Sequence, residues 1–103
     1  MYGDGVHNNV RILSFRNREL ERFWRHEEVR GIVRQHEAKL RAMLTAIEEA
    51  ENISELGTVP GWRLHQLKGD RKGVWSLKLN YNHRLTFRVA GSEISEIDVE
   101  DYH

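Results

Sequence analysis

A chain of 103 residues is long enough for one small domain with a modest core and too short for two. It is 39% apolar and 31% charged, has no cysteine, and holds no apolar run near the roughly 20 residues of a membrane span, which sets aside disulfide scaffolds, thiolate metal centres and membrane-spanning helices. The net charge is zero, yet Gly61 to Arg88 carries seven Lys/Arg and one acid, while Val89 onward carries five acids and no Lys or Arg.

Residues 1–9 (MYGDGVHNN) are rich in Gly and Asn, lack any period, and are expected to be a flexible lead-in outside a single domain over residues 10–103. No secretory signal opens the chain, so the cytoplasm is the expected compartment. Val10 to Phe15 is apolar with β-branched members and predicts a first strand. Asn17 is a good N-cap, and Leu20, Phe23 and Trp24 follow at helical spacing. Gly31 and its charged surroundings predict a break. A longer helix then carries Val33, Leu40, Met43, Leu44 and Ile47 on one apolar stripe, a pattern of core packing. Asn52 to Gly57 closes this helical half, with Gly57 as its expected C-cap.

From Trp62 the period changes to two. Trp62 and Leu64 alternate with Arg63 and His65; Trp75, Leu77 and Leu79 with Ser76, Lys78 and Asn80; Leu85, Phe87 and Val89 with Arg84, Thr86 and Arg88; Ile97 and Val99 with Glu96, Asp98 and Glu100. Turn residues at 68–73, 81–83 and 90–92 separate these runs. Short antiparallel strands after a helical pair make an α+β fold, with one apolar sheet face against the helices. The other face collects Arg63, His65, Lys78, Arg84 and Arg88. An uncovered sheet face of this kind suits a nucleic-acid backbone. On charge alone, a solvated surface balanced by the acidic C-terminal segment explains the same residues equally well.

His65, Lys68, Arg84, Asp101, Tyr102 and His103 are the residues with chemistry to offer. RNA cleavage through the 2′-OH needs a base for that hydroxyl, cations for the charge growing on the phosphate, and an acid for the 5′-oxygen. His suits both proton transfers, Arg and Lys suit the phosphate, and Tyr can stack on a base or pass a proton. Each residue also has a plain structural role open to it: His65 as a surface histidine, Lys68 in a turn, Arg84 paired with Asp98 or Glu100 across the sheet, and the last three residues as a frayed end. The spacing of His65, Asp101 and His103 matches no compact metal motif, and no cofactor is expected. By parity, a regular last strand puts Tyr102 on the basic face and Asp101 and His103 on the apolar side. A common site therefore requires the strand to end, bulge or twist near Glu100.

The stretch "PGWRLHQLKGDRKGVWSLKLNYNHRLTFR" with a terminal "IDVEDYH" closely resembles the HigB, or plasmid-maintenance killer, branch of the RelE-like bacterial toxins. The similarity is densest from Pro60 to His103 and continues more weakly through "ILSFRNRELERFW" and the long helix. It implies a small curved antiparallel sheet with two N-terminal helices on one face. It also implies the toxin of a type II toxin–antitoxin system: a metal-independent messenger-RNA endoribonuclease acting at the ribosomal A site. A HigA-type antitoxin with a helix-turn-helix domain would neutralise it, and DNA would be met only through that antitoxin. The functional residues carried over are the histidine and lysine of RLHxLKGD, His65 and Lys68; the arginine of NxRLTF, Arg84; and the closing Asp101, Tyr102 and His103. The resemblance implies that Lys68 and Arg84 stabilise the phosphate. His65 and His103 with Asp101 would move protons, and Tyr102 would hold a base. Apart from the resemblance, the basic segment itself makes Arg63, Arg71, Lys72, Lys78 and Arg88 the residues expected to bind the rest of the RNA. The sequence departs from the pattern in residues 1–9 and in Glu27–Gln35, which bears on antitoxin contacts more than on chemistry. A ParE-like toxin, sharing this fold but binding gyrase without cleavage, is the alternative; it has no need of the His and Asp-Tyr-His set. A plain RNA-binding module with structural histidines is a third reading.

Overall fold

The computed structural model describes residues 10–101; the lead-in expected over residues 1–9, and Tyr102 and His103, lie outside them. The chain enters through strand β1 (Arg11–Ile12) and then forms helix α1 (Arg18–His26). Asn17 caps α1 as its type requires, its side-chain oxygen accepting the Leu20 amide at 2.9 Å. The break at Gly31 is real. That residue sits at φ +53°, and a Cβ there would lie 2.3 Å from a Glu19 carboxylate oxygen. Both the left-handed backbone and the close approach favour glycine.

The expected single long helix is two pieces, α2 (Gly31–Gln35) and α3 (Glu37–Glu49). His36 separates them, leaving helical geometry at φ −134° while its ring meets Asn80. The apolar stripe survives the break: Val33, Leu40, Met43, Leu44 and Ile47 are all fully buried. Gly57 is not the C-cap. Ala50 ends α3 in an extended conformation, and Asn52 then opens a 3-10 helix (Ile53–Thr58) through a capping box with Glu55, with Gly57 inside it.

The sheet has five strands in the order β1-β5-β4-β3-β2. They are β2 (His65–Gln66), β3 (Val74–Lys78), β4 (His83–Ala90) and β5 (Glu93–Asp101), with β1 at the far edge. Strands β2 to β5 are antiparallel, but β1 runs parallel to β5, Arg11 opposite Glu93 and Ile12 opposite Ile94. Nothing forces β1 into a hairpin, since the whole helical half and three strands separate it from its partner in sequence. The strand expected from Trp62 shrinks to His65–Gln66, because Arg63 takes φ +51° and breaks the alternation.

Strand β5 carries a bulge. Thr86 pairs with Asp98 and Arg88 with Ser95, so Glu96 and Ile97 together face Phe87, with Glu96 at φ +54°. The extra residue returns Ile97 to the apolar face alongside Ile94, and both are completely buried. Leu77, Leu85 and Phe87 complete that face and meet Leu20 and Phe23 of α1 and the α3 stripe in one core. The helices thus cover one side of the sheet, and the polar chemistry falls to the other.

Candidate functional site

Register places the polar face in rows. His65 is opposite Ser76, Ser76 opposite Thr86, and Thr86 opposite Asp98; the next row is Lys78, Arg84 and Glu100. Direct cross-strand partners share a face, so these residues stand side by side. The face is not the open cationic surface that alternation predicted. The segment after β2, a short 3-10 turn at Gly69–Arg71, folds over it and sends Arg71 across the sheet to β5. Ser76 and Thr86 are buried beneath this layer. A polar cleft of about 170 Å³ remains between loop and sheet, lined by Arg16, Asp70, Arg71, Thr86, Arg88 and Glu100 among others.

Glu100 is the centre of this face. Arg71 donates to it through both arms, Nη1 to Oε1 at 2.7 Å and Nη2 to Oε2 at 2.6 Å. Thr86 Oγ1 donates to Oε2 at 2.6 Å, and Arg84 Nη2 lies 4.0 Å from Oε1. The hydrogen bonds from Arg71, helped by Thr86 and the charges of Arg71 and Arg84, hold its carboxyl down at about 2 against the opposing effect of burial. The same pairing raises Arg71 above its ordinary value. Asp98 moves the other way: burial pushes it up, and the neighbouring Glu100 charge adds to that.

The remaining cations are dispersed. Arg88 pairs with Glu96 at 3.3 Å and donates to the Lys72 carbonyl at 3.3 Å. Lys78 holds its ammonium 5.0 Å from the Tyr81 ring centre. Arg63 and Lys72 are exposed. His65 stands exposed on the β2 edge. Lys68, also exposed, shares a separate open hollow with Gln66, Leu67, Gly69 and Lys72.

Among the described residues, β5 continues through Glu100 to Asp101 without a break. Its register runs unbroken from Val99 opposite Leu85, through Glu100 opposite Arg84, to Asp101 opposite His83, and the irregularity lies earlier, at Glu96. Asp101 therefore stands with His83, their Oδ1 and Nε2 3.4 Å apart, on the opposite side of the strand from Glu100. His83 Nδ1 lies 3.2 Å from Asn80 Oδ1, and Asn80 Nδ2 lies 2.8 Å from His36 Nε2. This polar chain from the α2–α3 junction to the end of β5 was not foreseen. Of the six candidates, His65 and Arg84 share the polar face, Lys68 flanks it on the covering loop, and Asp101 stands apart from them. Tyr102 and His103 lie outside the described residues.

Sequence reading missed the central part played by Glu100 and the contribution of His83. The signal for Glu100 was the cross-sheet pairing open to Arg84, for which alternation offered Asp98 and Glu100 alike.

Comparison with known proteins gives the family and the fold. The model of a family described as the RelE-like toxin of type II toxin–antitoxin system HigB matches residues 13–103. The endoribonuclease HigB of Proteus vulgaris is 34% identical over 92 residues, covering 89% of this chain and 99% of that protein. Among solved structures, a YoeB/ParE toxin from Agrobacterium tumefaciens superposes with a TM-score of 0.53 at 19% identity, over 91% of this chain and all of that one. The YoeB toxin of Staphylococcus aureus does so as a dimer (0.53, 21% identity, 92% and 98% covered) and in complex with YefM (0.52, 18%, 92% and 98%). At these identities the structural likeness speaks for the fold alone.

Proposed function

This chain belongs to the HigB-like family of RelE-like toxins, and from that premise we propose that its endoribonuclease activity is directed at messenger RNA on the ribosome. As a type II toxin it has an antitoxin as partner. The finer reading is that this antitoxin is of the HigA type, with a helix-turn-helix domain, and that toxin, ribosome and messenger RNA meet in the cytoplasm. No helix among the described residues is long and apolar enough to cross a membrane.

One observation carries the reading: Lys78, Arg84 and the Arg71–Glu100 pair stand together on one sheet face, in the row next to His65. The chain itself supplies what cleavage through the 2′-OH requires. A histidine base, His65 or His103, takes the 2′-OH proton as that oxygen attacks phosphorus. Lys68 and Arg84 stabilise the charge on the non-bridging oxygens. The bond to the 5′-oxygen breaks, the other histidine protonates that oxygen, and a 2′,3′-cyclic phosphate remains on the upstream fragment. Tyr102 stacks on the base, and Asp101, which stands with His83 on the other side of β5, joins the set on the strength of the family resemblance. Arg63, Arg71, Lys72, Lys78 and Arg88, dispersed around this face, attract the rest of the RNA. Two cations from neighbouring strands suit a phosphate better than a protein target, which favours cleavage over gyrase binding.

Primer extension on messenger RNA, with and without translating ribosomes, tests this. Cuts that need both ribosomes and an intact His103, and vanish in His103→Ala, support it. Gyrase inhibition without cuts, or salt-dependent RNA binding without cuts, would overturn it.

A further inference from the structure

Glu100 is an odd residue to find on a phosphate-binding face, since a bare carboxylate there would repel the substrate. Its surroundings resolve the difficulty. Three side chains from different parts of the chain converge on it: Arg71 from the covering loop through a two-pronged contact at 2.6 and 2.7 Å, Thr86 from β4 at 2.6 Å, and Arg84 from β4 at 4.0 Å. A guanidinium carries five N–H donors, and the fork uses one from each terminal nitrogen. Arg71 therefore keeps an outward edge, while the bond to Glu100 fixes the plane of the group. The carboxylate also stands between two guanidinium groups that would otherwise repel each other, and lets them share a small space. Its side chain is only 21% exposed, so the pairing is less screened than a surface bridge. Thr86 is 1% exposed, and its hydroxyl fixes the orientation of the carboxylate in turn.

We infer that Glu100 is a positioning residue: it locks Arg71 beside Arg84, so that the two guanidinium groups form one preset cradle for an RNA phosphate. The cradle deepens the proposed cleavage site and rests on that reading. Arg71 is thereby assigned to a phosphate at or next to the one cut, rather than to general RNA attraction. An ionised Glu100 is part of the design: held near 2, it stays charged throughout the physiological range. Phosphate then meets cations already in place, with little rearrangement when charge develops on it.

The test is single-turnover cleavage of ribosome-bound messenger RNA by wild type and by Glu100→Ala, Glu100→Gln, Arg71→Ala and the Arg71→Ala/Glu100→Ala double variant. Rates are compared at a temperature where circular dichroism shows every variant folded. Glu100→Ala should cut about 10- to 100-fold more slowly per folded molecule, as misplacement of a positioned group does. Ribosome affinity should change little. Glu100→Gln, which keeps an acceptor and the Thr86 contact, should recover part of the rate. The double variant should cut no more slowly than Arg71→Ala, because the carboxylate acts through that guanidinium. A wild-type rate in Glu100→Ala would show that Glu100 serves the fold alone. A faster rate would show that it blocks the phosphate seat, and losses that simply add would show that it does not act through Arg71; each overturns the inference while leaving the cleavage reading intact. Failure of the wild type to cut at all would overturn both.

Discussion

His83 and Asp101 face each other across β4 and β5, with Nε2 and Oδ1 3.4 Å apart, and they tie the last described residue of the chain to a polar path ending at His36. Asp101 is one of the residues that the family resemblance assigns to the chemistry. Its partner comes from the start of β4, where the Asn80 side-chain oxygen accepts the Asn82 and His83 amides at 2.7 Å each and shapes the β3–β4 turn. A neutral His83 that donates from Nδ1 to Asn80 turns a bare Nε2 toward the Asp101 carboxylate. The contact is attractive once the imidazole carries both protons.

His83→Ala should therefore weaken the hold on the end of β5. The Asp101 side chain is 72% exposed, so the ion pair contributes little to stability and the cost should stay below about 1 kcal/mol. Cleavage is the more sensitive readout, with an expected loss of roughly 10-fold if Asp101 must be held in place. Thermal unfolding and primer extension on the same preparation separate the two effects. An unchanged cleavage rate would detach His83 from the site.

Glu100 and Asp98, two residues apart on β5, should respond to acid with opposite sign. The Glu100 carboxyl is held near 2, below its ordinary 4.5, so its pairing stabilises the fold fully above about pH 4.5 and is lost as the pH falls toward 2. After allowance for solvent screening this is worth about 1–2 kcal/mol. Asp98 is pushed above its ordinary 3.8 by burial and by Glu100, so its ionised form is disfavoured in the folded chain at neutral pH. Asp98→Asn keeps an oxygen for the Val99 amide, which Asp98 Oδ1 accepts at 2.8 Å, and should stabilise the protein at pH 7 by about 0.5 kcal/mol. That gain should fade as the pH falls through the Asp98 range and the native carboxyl takes its own proton. Urea unfolding of wild type, Glu100→Gln and Asp98→Asn between pH 2 and 7 checks both signs. A lower midpoint for Asp98→Asn at pH 7 would contradict the second.

Gly31→Ala should lose about 1–2 kcal/mol, because alanine resists φ +53°. The clash with the Glu19 carboxylate is the lesser part, since that side chain is exposed and can swing away. Adding Glu19→Ala should therefore restore little. Full rescue in the double variant would assign the whole effect to the clash.

The elements that sequence made legible are those whose signal is local. Asn17 announces α1, and the alternation in Trp75–Leu79 and Leu85–Val89 gives two strands, because each pattern needs only neighbouring residues. What failed depends on distant partners. The Arg71–Glu100 contact joins residues 29 apart and exists only because a loop folds across the sheet. The bulge had a visible trace in Ile94 and Ile97, two apolar residues at an odd spacing that no regular strand can put on one face, but the spacing alone does not say which residue is extra. The break at His36 leaves the apolar stripe intact, so periodicity runs straight through it. For the candidate site, residue types were legible and grouping was not: the parity rule that sent Asp101 away from the basic face held, and the bend invoked to bring it back does not occur up to that residue.

Arg84 is where a catalytic and a merely structural role diverge most clearly. It stands opposite both Lys78 and Glu100, in the middle of the polar face, with its side chain 20% exposed. If its work were structural alone, Arg84→Ala would cost about 1–3 kcal/mol of stability, since it leaves a largely buried carboxylate with one charge partner fewer, and the cleavage rate per folded molecule would be nearly untouched. A phosphate-binding role predicts a fall in the single-turnover cleavage rate of about 100-fold or more, the scale seen when one preorganised donor is removed from a charged transition state. Arg84→Lys discriminates further. Lysine restores the positive charge but cannot offer two parallel donors to a phosphate, so it should recover only a minor part of the rate. Near-complete recovery with lysine would mean that Arg84 supplies charge and not geometry. Cleavage untouched in Arg84→Ala would leave Arg84 a structural role alone.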